Sequence, residues 1–585
     1  MEILHEPLRL GLAQRLQVAL KELGIEESTS DLVHSLGATP SPEMGHLAFP
    51  CFKYAKAMRV APPMISGQIA GKMAPDDLIA EVRPAGPYLN FFFNLGALGK
   101  EVAEAVLDGS MFKRNLSEGN PRTMVEYSQP NTHKEIHVGH MRNMALGDSL
   151  IKCFRRAGFD IVSTTFPGDV GTHVAKCLWY LKDVNTNPVP ESDRGAWLGT
   201  MYVASSKLLK KLEEEGRDAE AKARITEILK QLEAGKGPFY ELWLETRQWS
   251  VELMEAVYAW ADIDFDVWYW ESDVDADSIA YAKQLFNEGK LIESQGAIGM
   301  DLSEYGLGFA MLLKRDGTGL YMTKDVELAR RKFVDHHIEK SIYIVDNRQS
   351  HHFEQVFKVL ELLGFEQAKN CHHLAYEHVK GKEGTFSSRL GNAPPIQELI
   401  QAMQSKILAS HLKPQVDKGE MSDDEALKIA DTVTKGAIKY GMVRIDPAKI
   451  ITFVLDEWIS LDGDTGAYQQ YTYARIQSLC RKQGYDTEGP VDWSLLSDPR
   501  EAELLVMMSD LNGMILRVVE QYRPNLLCAY LYGLAQLYNS VNNAIVIRDI
   551  SDPVAKNTRL ALHKAVGETI KQGLALLGVP VPERM

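Results

Sequence analysis

Leucine residues near the start of the chain recur at helical spacing, and an aromatic run further along has the character of a strand. The leucines fall near every fourth position and share one buried face of a helix: Leu8, Leu12, Leu16 and Leu20. Turn residues lead into the aromatic run of segment 84–94, PAGPYLNFFFN, which predicts a strand. We therefore expect a small α+β module over residues 1–118.

Strand-like and helix-like segments alternate after this module. TMVEYSQ, at 123–129, is rich in β-branched and aromatic residues and precedes Pro130, which predicts a strand that ends in a loop. GFDIVSTTF, at 158–166, and SIYIVD, at 341–346, predict two further strands with helices between them. Alternation of this kind is typical of βαβ units and a parallel sheet.

Two helical regions complete the pattern. A charged, helix-favouring section at about 191–260 interrupts the alternation, and we interpret it as an insertion with a helical hairpin as its expected form. After about residue 395 the strand signals fade, and Ala, Leu, Gln and Tyr recur at helical spacing, as in AYLYGLAQLYNSVNNA. The chain is thus predicted to be a multidomain α/β protein that ends in an all-α bundle.

Length and composition exclude several classes of protein. A chain of 585 residues is too long for one hydrophobic core, so we expect about three to four domains. Apolar residues make up 45% of the chain and charged residues 24%, which excludes a mostly disordered or fibrous protein. The sequence has neither a long apolar run nor a secretory signal pattern, so we expect a cytoplasmic chain without a membrane span.

Cysteine and histidine spacing gives no support to a metal site. The six cysteines show no C-x-x-C pattern, which argues against a zinc site or disulfide framework and fits a reducing compartment. Histidine pairs at 351–352 and 372–373 lack partners at ligand spacing, so we interpret them as surface or packing residues. We assign no metal site.

A second pair of histidines has the pattern of a phosphate site. His137, Gly139 and His140 form HVGH at the start of a helix-compatible run, so both imidazoles would lie on one helix face. A helix N-terminus offers unpaired N–H groups and the positive end of its dipole to phosphate, and a glycine there lets a flat ring approach the backbone. The alternative is a structural histidine pair.

The segment around HVGH resembles a known family. The run from Glu126 to His140, EYSQPNTHKEIHVGH, resembles the signature of class I aminoacyl-tRNA synthetases, and specifically that of the arginyl-tRNA synthetase family. Other stretches resemble the same family in the same order: GDVGTH at 168–173, LYMTKD at 320–325, IVDNRQSHHFEQ at 344–355 and LDGDTGAYQQYTYAR at 461–475. With GPYLNFFF and the final PERM, the resemblance spans about 40–585.

This resemblance implies a domain organisation and a reaction. It implies a tRNA-elbow-binding module at 1–118, a Rossmann-type catalytic domain at 119–460 and a helical anticodon-binding domain at 461–585, with the acidic insertion near 191–280 and stem-contact helices near 395–460. The reaction implied is activation of L-arginine by ATP with Mg²⁺, followed by transfer to tRNA(Arg). We expect a monomer, since nothing in the sequence indicates a dimer helix.

The resemblance also implies the residues of an arginine pocket. A guanidinium group is planar, always charged and has five N–H donors, so its site needs carboxylate and other acceptors in one plane. By resemblance, Asp325 and Tyr321 grip this group and Gln349 assists. Glu126 and Asn131 are then expected to hold the amino-acid end.

The second ATP-binding element departs from the family pattern. By resemblance His137, Gly139 and His140 bind ATP, together with Ser387 and Ser388 of a second loop. That loop reads TFSSRLGN at 385–392 and has neither lysine of the usual KMSK sequence. The resemblance implies that Lys134 substitutes for them, with Arg389 as a second cation and Lys382 just upstream.

Contacts with tRNA are expected at both ends of the chain, because aromatic rings stack on unpaired bases and amides read their edges. By resemblance, Tyr88 and Asn90 face the tRNA elbow. A second set is expected at the anticodon loop: Tyr468, Tyr471, Arg475 and Met585. Taken alone, Tyr468 and Tyr471 would be more typical of a bundle core.

The acidic charge of the chain is concentrated in one segment, and three alternative functions stay open. The net charge of −15 argues against an RNA-binding surface over the whole chain, but segment 191–280 holds ten basic and twenty acidic side chains. We therefore predict that the insertion turns its acidic face away from bound tRNA. The alternatives are a class I synthetase for another amino acid, a nucleotidyltransferase that shares the HVGH element, and a catalytically impaired paralogue that binds tRNA.

Overall fold

The computed structural model describes residues 2–382, 384, 385 and 394–585. Helices and short strands alternate in the N-terminal module. Its elements are β1 (Glu2–Ile3), α1 (Pro7–Glu22), α2 (Thr29–Ser35), β2 (Gly37–Ala38), β3 (Leu47–Pro50), α3 (Ala55–Met58), α4 (Pro62–Ala70), β4 (Ile79–Ala85), β5 (Tyr88–Phe93), α5 (Leu95–Leu107) and β6 (Ser117–Glu118). Four strands form an antiparallel sheet ordered β2-β3-β5-β4. The predicted leucine face of α1 is buried and the aromatic run is β5, so both predictions are confirmed.

The central module contains the parallel sheet that the alternating pattern predicts. Its elements are β7 (Thr123–Glu126), α6 (Val138–Arg156), β8 (Ile161–Thr165), α7 (Thr172–Trp179), α8 (Arg194–Glu214), α9 (Ala219–Glu233), α10 (Pro238–Ala261), β9 (Val267–Trp268), α11 (Glu271–Asn287), β10 (Ile292–Ser294), β11 (Ala297–Asp301), β12 (Phe309–Leu313), α12 (Tyr321–His336), β13 (Lys340–Asp346), α13 (Ser350–Leu362), β14 (Cys371–Tyr376), β15 (Val379–Gly381), β16 (Gly384–Thr385), α14 (Ile396–Ile407), α15 (Lys413–Asp417), α16 (Asp423–Val443) and β17 (Ile451–Thr452).

Five parallel strands form the central sheet in the order β14-β13-β7-β8-β9. The order reverses between β7 and β13, because β7, β8 and β9 proceed across the sheet in one direction and β13 and β14 in the other. In open sheets of this kind, ligands bind beyond the carboxyl ends of the strands at the point of reversal. The sheet therefore locates a candidate site beyond the ends of β7 and β13.

The insertion between β8 and β9 consists of three helices, α8, α9 and α10, so the expected hairpin was wrong. The reason is the apolar content of α10, which the charged segment before it does not share. Phe239 and Trp243 of α10 are buried in one cluster with residues of α7 and α9. Trp249 is buried in a second cluster with Leu198 of α8. A two-helix hairpin would leave these large side chains in water.

The C-terminal module is helical, as predicted. Its elements are α17 (Leu455–Trp458), α18 (Gly466–Gln483), α19 (Pro499–Ser509), α20 (Leu511–Gln521), α21 (Asn525–Ala544) and α22 (Pro553–Leu576). One strand after residue 395 was not predicted: β17, which pairs in parallel with β15. Of the helices in the described ranges, none is both long enough and apolar enough to cross a membrane. All six cysteines lie in these ranges and are free, and five of them are buried.

A buried ion pair joins α6 to three other parts of the chain. Lys439 of α16 has no exposed side-chain surface, and its Nζ donates to Asp148 Oδ2 of α6 at 2.7 Å and to the carbonyl of Ala261 at 2.6 Å. Gly578 of the C-terminal tail covers the pair: a Cβ atom there would lie 2.4 Å from both Asp148 Oδ2 and Lys439 Nζ. The tail, α16 and the end of the insertion thus converge on α6.

The other end of α6 meets both terminal modules. Arg156, its last residue, donates to Asn512 Oδ1 of α20 at 2.8 Å. Asn512 in turn donates to the carboxylate of Glu6, which also pairs with Arg114 at 2.5 Å. Polar side chains of the N-terminal, central and C-terminal modules therefore form hydrogen bonds with one another at a single junction.

Replacement of Gly578 by alanine should destabilise the protein strongly. Its φ of +68° disfavours any side chain by about 1 to 2 kcal/mol, and the new methyl group would also separate a buried ion pair, which costs about 3 to 5 kcal/mol. Gly484→Ala is the matched control, because Gly484 has φ +71° but open space around its Cβ position. The urea midpoint should fall much further for Gly578→Ala, and equal midpoints would contradict this role of the tail.

Candidate active site

The strand reversal brings the predicted HVGH element next to the end of β7. Glu126 is the last residue of β7, and Tyr343 of β13 lies beside it in register. A loop follows, and α6 then begins at Val138. The N-terminus of α6 is therefore at the edge of the sheet where ligands of open α/β sheets bind.

The two histidines of HVGH cap α6 with their own rings. Nδ1 of His137 accepts from the N–H of Gly139 at 3.1 Å, and Nδ1 of His140 accepts from the N–H of His137, also at 3.1 Å. The ring centroids are 4.0 Å apart. A Cβ at Gly139 would lie 2.9 Å from Cε1 of His137, so only glycine lets this ring lie so close to the backbone.

This capping fixes the protonation of both rings. Because each Nδ1 accepts a hydrogen bond, a neutral ring carries its proton on Nε2. Burial lowers the pKa of His137 to about 4, and burial together with the charges of His137 and Lys134 holds that of His140 well below its usual range. At neutral pH both rings are therefore uncharged and carry their proton on Nε2 at the helix N-terminus.

The loop between β7 and α6 is strained and firmly held. Ser128, Gln129 and His133 all adopt positive φ, at 77°, 35° and 61°, a conformation that costs non-glycine residues about 1 kcal/mol or more each. Asn143 of α6 accepts from the N–H of Ser128 at 2.6 Å, and the hydroxyls of Ser128 and Tyr258 are 2.8 Å apart. Side chains of α6 and α10 thus hold the loop in this conformation.

His133 is a residue of this loop that the sequence did not single out. Its side chain is completely buried, and its ring nitrogens lie 2.9 Å from the hydroxyls of Thr132 and Thr246. Its N–H donates to Ser250 Oγ at 2.9 Å. Burial lowers the pKa of His133 to about 3. A neutral histidine therefore ties the loop to α10 of the insertion.

Two of the predicted guanidinium ligands, Tyr321 and Asp325, lie at the start of the helix α12. Tyr321 begins this helix, is 64% exposed and is one turn from Asp325. Oδ2 of Asp325 is 2.6 Å from Nε2 of His352 on α13. Gln349 is exposed and is the residue immediately before α13. The contact between Asp325 and His352 thus brings the start of α12 to the start of α13.

Glu126 is buried and has a partner. Its carboxylate pairs with Nζ of Lys332, which is itself fully buried, and accepts from Nε2 of Gln129 at 3.1 Å. The same Nζ lies 3.9 Å from the centroid of the Tyr343 ring. A ligand ammonium at Glu126 would therefore join an ion pair that is already present.

A second buried carboxylate lies beside Asn131, and sequence reasoning missed it. A Cβ at Gly168 would lie 2.4 Å from Oδ1 of Asn131 and 3.4 Å from Oε1 of Glu271, so both side chains face this glycine. Oε2 of Glu271 is 3.4 Å from Nζ of Lys324. Burial raises the pKa of Glu271 to about 7, although Lys324 partly opposes the shift. No local motif marks Glu271, which follows β9 far from the other site residues.

Hydrogen bonds of Asp169 hold the GDVGTH segment in place. Its side chain is fully buried and accepts from Nε of Arg247 and Oγ of Ser272, both at 2.7 Å. Its carbonyl accepts from Nε1 of Trp243 at 2.7 Å. Asp169 therefore joins this segment to α10 and α11, which explains why an acidic residue is buried there.

The predicted residues Ser387, Ser388 and Arg389 lie outside the described residues, but the segment that follows them is placed. The carbonyl of Pro394 accepts from the N–H of Val138 at 3.3 Å, and the carbonyl of Ile136 accepts from the N–H of Ile396 at 3.0 Å. The chain after the loop predicted to bind ATP thus runs alongside HVGH.

The two residues predicted at the tRNA elbow differ in exposure. Tyr88 is 42% exposed, and its ring centroid is 5.3 Å from that of the exposed Phe52. Asn90 is only 2% exposed, and its Nδ2 donates to the carbonyl of Met44 at 2.8 Å. A direct contact between Asn90 and RNA would require this bond to open, whereas Tyr88 is accessible as it stands.

Three of the four predicted anticodon residues, Tyr468, Tyr471 and Arg475, share one face of α18. Tyr471 and Arg475 are exposed one turn apart. Tyr468, one turn before them, is partly buried, and its hydroxyl accepts from Nδ2 of Asn539 at 2.8 Å. Met585 is partly buried against the core. Of the three tyrosines of this helix, the one in the core is Tyr473, whose side chain is fully buried.

Within the described ranges, no group of three or more His, Cys, Asp or Glu side chains is arranged to hold a metal ion. In the pair at 351–352, His351 is exposed and His352 contacts Asp325, whereas the pair at 372–373 packs against aromatic rings. His373 stacks on Phe353 with centroids 4.6 Å apart, and His372 lies 4.8 Å from Tyr522.

Comparison with known proteins gives matches along the whole chain. Residues 11–93 match the family described as arginyl tRNA synthetase N terminal domain, 101–450 match tRNA synthetases class I (R), catalytic domain, and 469–585 match the DALR anticodon binding domain. The arginine–tRNA ligase of Bdellovibrio bacteriovorus is 48% identical over 585 residues, which covers 100% of both chains. That of Halothermothrix orenii is 31% identical and covers 97% of each.

A solved structure agrees with these matches. The arginyl-tRNA synthetase of Thermus thermophilus covers 99% of this chain and aligns over 100% of its own length, with a TM-score of 0.80 and 27% identity.

The neutral state of His133 should make the protein less stable in mild acid. In the unfolded chain this histidine has its ordinary pKa of 6.5, whereas folding lowers it to about 3. Between these values the unfolded state binds more protons, so stability falls as the pH falls. His133→Gln should remove this contribution, which is about 2 kcal/mol at pH 5.

The test compares urea midpoints at pH 7.5 and pH 5.0. The urea midpoint of the parent protein should fall more between pH 7.5 and pH 5.0 than that of His133→Gln does. Because each protein is compared with itself at the two pH values, a loss of stability that His133→Gln shows at both pH values does not affect the result. His351→Gln, at an exposed position, is the control and should behave as the parent. Equal pH dependence in the parent and His133→Gln would contradict the assignment.

Proposed function

The chain belongs to the arginyl-tRNA synthetases and is an arginine–tRNA ligase, and on this premise we propose which of its residues perform each step. Its substrates are L-arginine, ATP and tRNA. One observation carries the proposal: His137 and His140 accept backbone hydrogen bonds at Nδ1, which places the proton of each neutral ring on Nε2 at a helix N-terminus beside the strand reversal.

The guanidinium of arginine is held by Asp325 and Tyr321, with Gln349 as a further partner. His352 orients the Asp325 carboxylate through the 2.6 Å contact to Oδ2, which leaves Oδ1 for the substrate. A charge-assisted bond of this kind is roughly twice as strong as a neutral one. Asn131 and Glu126 hold the amino-acid end, and the adjacent Glu271 adds a carboxylate that Lys324 only partly neutralises.

Activation proceeds by in-line attack of the arginine carboxylate on the α-phosphate of ATP. A carboxylate oxygen bonds to phosphorus as the bond to the β-phosphate oxygen breaks, which yields arginyl-adenylate and pyrophosphate. His137 and His140 donate to the phosphates from Nε2, because the backbone N–H groups of His137, Val138 and Gly139 already donate to His140 Nδ1, to the carbonyl of Pro394 and to His137 Nδ1. Catalysis of this kind rests on positioning and electrostatic stabilisation, so no covalent enzyme intermediate is needed.

Neutral imidazoles donate hydrogen bonds but supply no positive charge. The charge that develops on the leaving pyrophosphate is therefore met by Lys134, by Arg389, and by Mg²⁺ that arrives with ATP. Ser387 and Ser388 complete the ATP site. Arginine is then transferred when a ribose hydroxyl of the 3′ adenosine attacks the adenylate carbonyl and AMP leaves.

The three modules divide the recognition of tRNA. Residues 1–118 meet the elbow through Tyr88 and, less directly, Asn90. Residues 119–460 perform the chemistry, with the helices at 395–460 against the stem. Residues 461–585 bind the anticodon loop with one set of side chains: Tyr468, Tyr471, Arg475 and Met585. The protein acts in the cytoplasm as a monomer.

Asp325→Asn should lower kcat/KM for arginine in tRNA charging about a hundredfold, since a charged partner of the guanidinium becomes neutral. Charging with arginine, lysine and cysteine in separate reactions establishes the amino acid used by the parent. Asp335→Asn, at an exposed position near the end of the same helix, is the matched control and should retain parental kinetics. Full activity of a folded Asp325→Asn variant would contradict the pocket assignment.

Tyr471→Ala should raise KM for tRNA about tenfold and leave KM for arginine unchanged, because stacking of a base on an aromatic ring contributes about 1 to 3 kcal/mol. The measurement is steady-state charging with varied tRNA. Tyr305→Ala is the control, since Tyr305 is similarly exposed but lies in the central module. An unchanged KM for tRNA in Tyr471→Ala would remove this residue from the RNA surface.

A further inference from the structure

The acidic insertion contacts the loop that leads into HVGH at successive residues. Gly199 of α8 lies against Glu135, because a Cβ at Gly199 would be 2.9 Å from the backbone nitrogen of Glu135. His133 is held by Thr246 and Ser250 of α10, as described above. Lys134 lies between these two contacts in the chain. The insertion is therefore in a position to act on the cation proposed for activation.

Tyr202 of α8 makes that contact. It lies one turn after Gly199 on the same face of the helix, and only 3% of it is exposed. Nζ of Lys134 is 5.2 Å from the centroid of its ring. Nζ of Lys176, on α7, is 4.4 Å from the same centroid and donates to Ser206 Oγ at 2.8 Å. Both distances are within the range of a cation–π contact.

The position of Lys134 relative to HVGH matters for the chemistry. Its charge acts on both histidine rings and contributes to lowering the pKa of His137 and His140. A lysine side chain has four flexible bonds, and fixing it in one conformation costs up to about 2 kcal/mol of entropy. A ring that holds the ammonium group beside the helix N-terminus removes part of this cost before ATP binds.

We propose that Tyr202 is a positioning residue for arginine activation: the face of its ring holds the ammonium of Lys134 beside HVGH, so the insertion takes part in catalysis. This inference rests on the proposed function of Lys134 as a cation for the leaving pyrophosphate. Lys176, on the same ring, keeps a second positive charge next to the site.

The rival explanation is packing alone. Tyr202 shares a small apolar cluster with Leu198, Met201 and Trp249, and any large residue there would support α8. Packing depends on the size of the side chain, whereas a cation–π contact depends on the negative face of the ring. The two explanations therefore differ for replacements that keep the ring but change its charge distribution.

The experiment measures ATP–pyrophosphate exchange by the full-length enzyme with arginine and tRNA present. Tyr202→Leu should lower kcat about tenfold, with KM for arginine unchanged, and Tyr202→Phe should stay within about twofold of the parent. In a Lys134→Ala background, Tyr202→Leu should not lower kcat any further. Trp249→Leu, in the same apolar cluster, is the matched control, and its effect should add to that of Lys134→Ala.

If Tyr202→Leu does not fold, a second variant tests the same proposal. Incorporation of 3,4,5-trifluorophenylalanine at position 202 keeps the shape of phenylalanine and weakens the negative face of the ring. Exchange should then fall below that of Tyr202→Phe, again only when Lys134 is present. Equal rates for the two aromatic rings would overturn the proposal.

The remaining outcomes separate this proposal from the function on which it rests. If Lys134→Ala keeps full exchange activity, the proposed function of Lys134 is wrong and the inference fails with it. If Lys134→Ala loses activity but Tyr202→Leu adds its own loss in that background, only the inference is overturned. Coupling of Tyr202 to Lys176→Ala and not to Lys134→Ala would also overturn it.

Discussion

The rest of the site depends on the burial of helix α6. Every residue from Met141 to Ile151 is buried, so the polar side chains on the helix must find partners inside the protein. Asp148 finds Lys439, and Asn143 donates to the carbonyl of Ile344 at 2.8 Å while it accepts from Ser128. Arg142 donates to the carbonyls of Asp446 and Pro447, both at 3.0 Å. These bonds fix the body of the helix, and the histidine caps and the bond from Val138 to Pro394 hold its N-terminus.

That constraint explains the electrostatics of the site. A helix buried on all sides cannot place charged imidazolium groups at its N-terminus, where burial and the positive end of the dipole both disfavour them. His137 and His140 are therefore neutral and serve as hydrogen-bond donors, while the positive charge must come from flexible side chains. A chain without the KMSK lysines depends on how those side chains are held, which is why residues around Lys134 matter as much as Lys134 itself.

The sequence predicts features that local pattern decides and misses those that distant contacts decide. Three of the five strands of the central sheet, β7, β8 and β13, and the start of α6 follow from spacing, turn residues or motif. Glu271 and His133 do not, because Glu271 faces Asn131 from 140 positions away and His133 acquires its role only from Thr246 and Ser250. Local spacing also gave no sign that Asn90 is buried or that Glu126 already pairs with Lys332.

The insertion shows why net charge was a poor guide to its role. Its acidic residues are concentrated on surfaces in water, as in the exposed run Glu213, Glu214 and Glu215 at the end of α8. The contacts of α8 and α10 with residues 133–135 before HVGH come from a glycine, hydroxyl groups and an aromatic ring, and the acidic side chain that faces this loop, Glu271, lies further along at Asn131. A carboxylate in place of Tyr202 would also attract Lys134, but it would cancel the charge that the phosphates need. An aromatic ring holds the ammonium and leaves its full charge available.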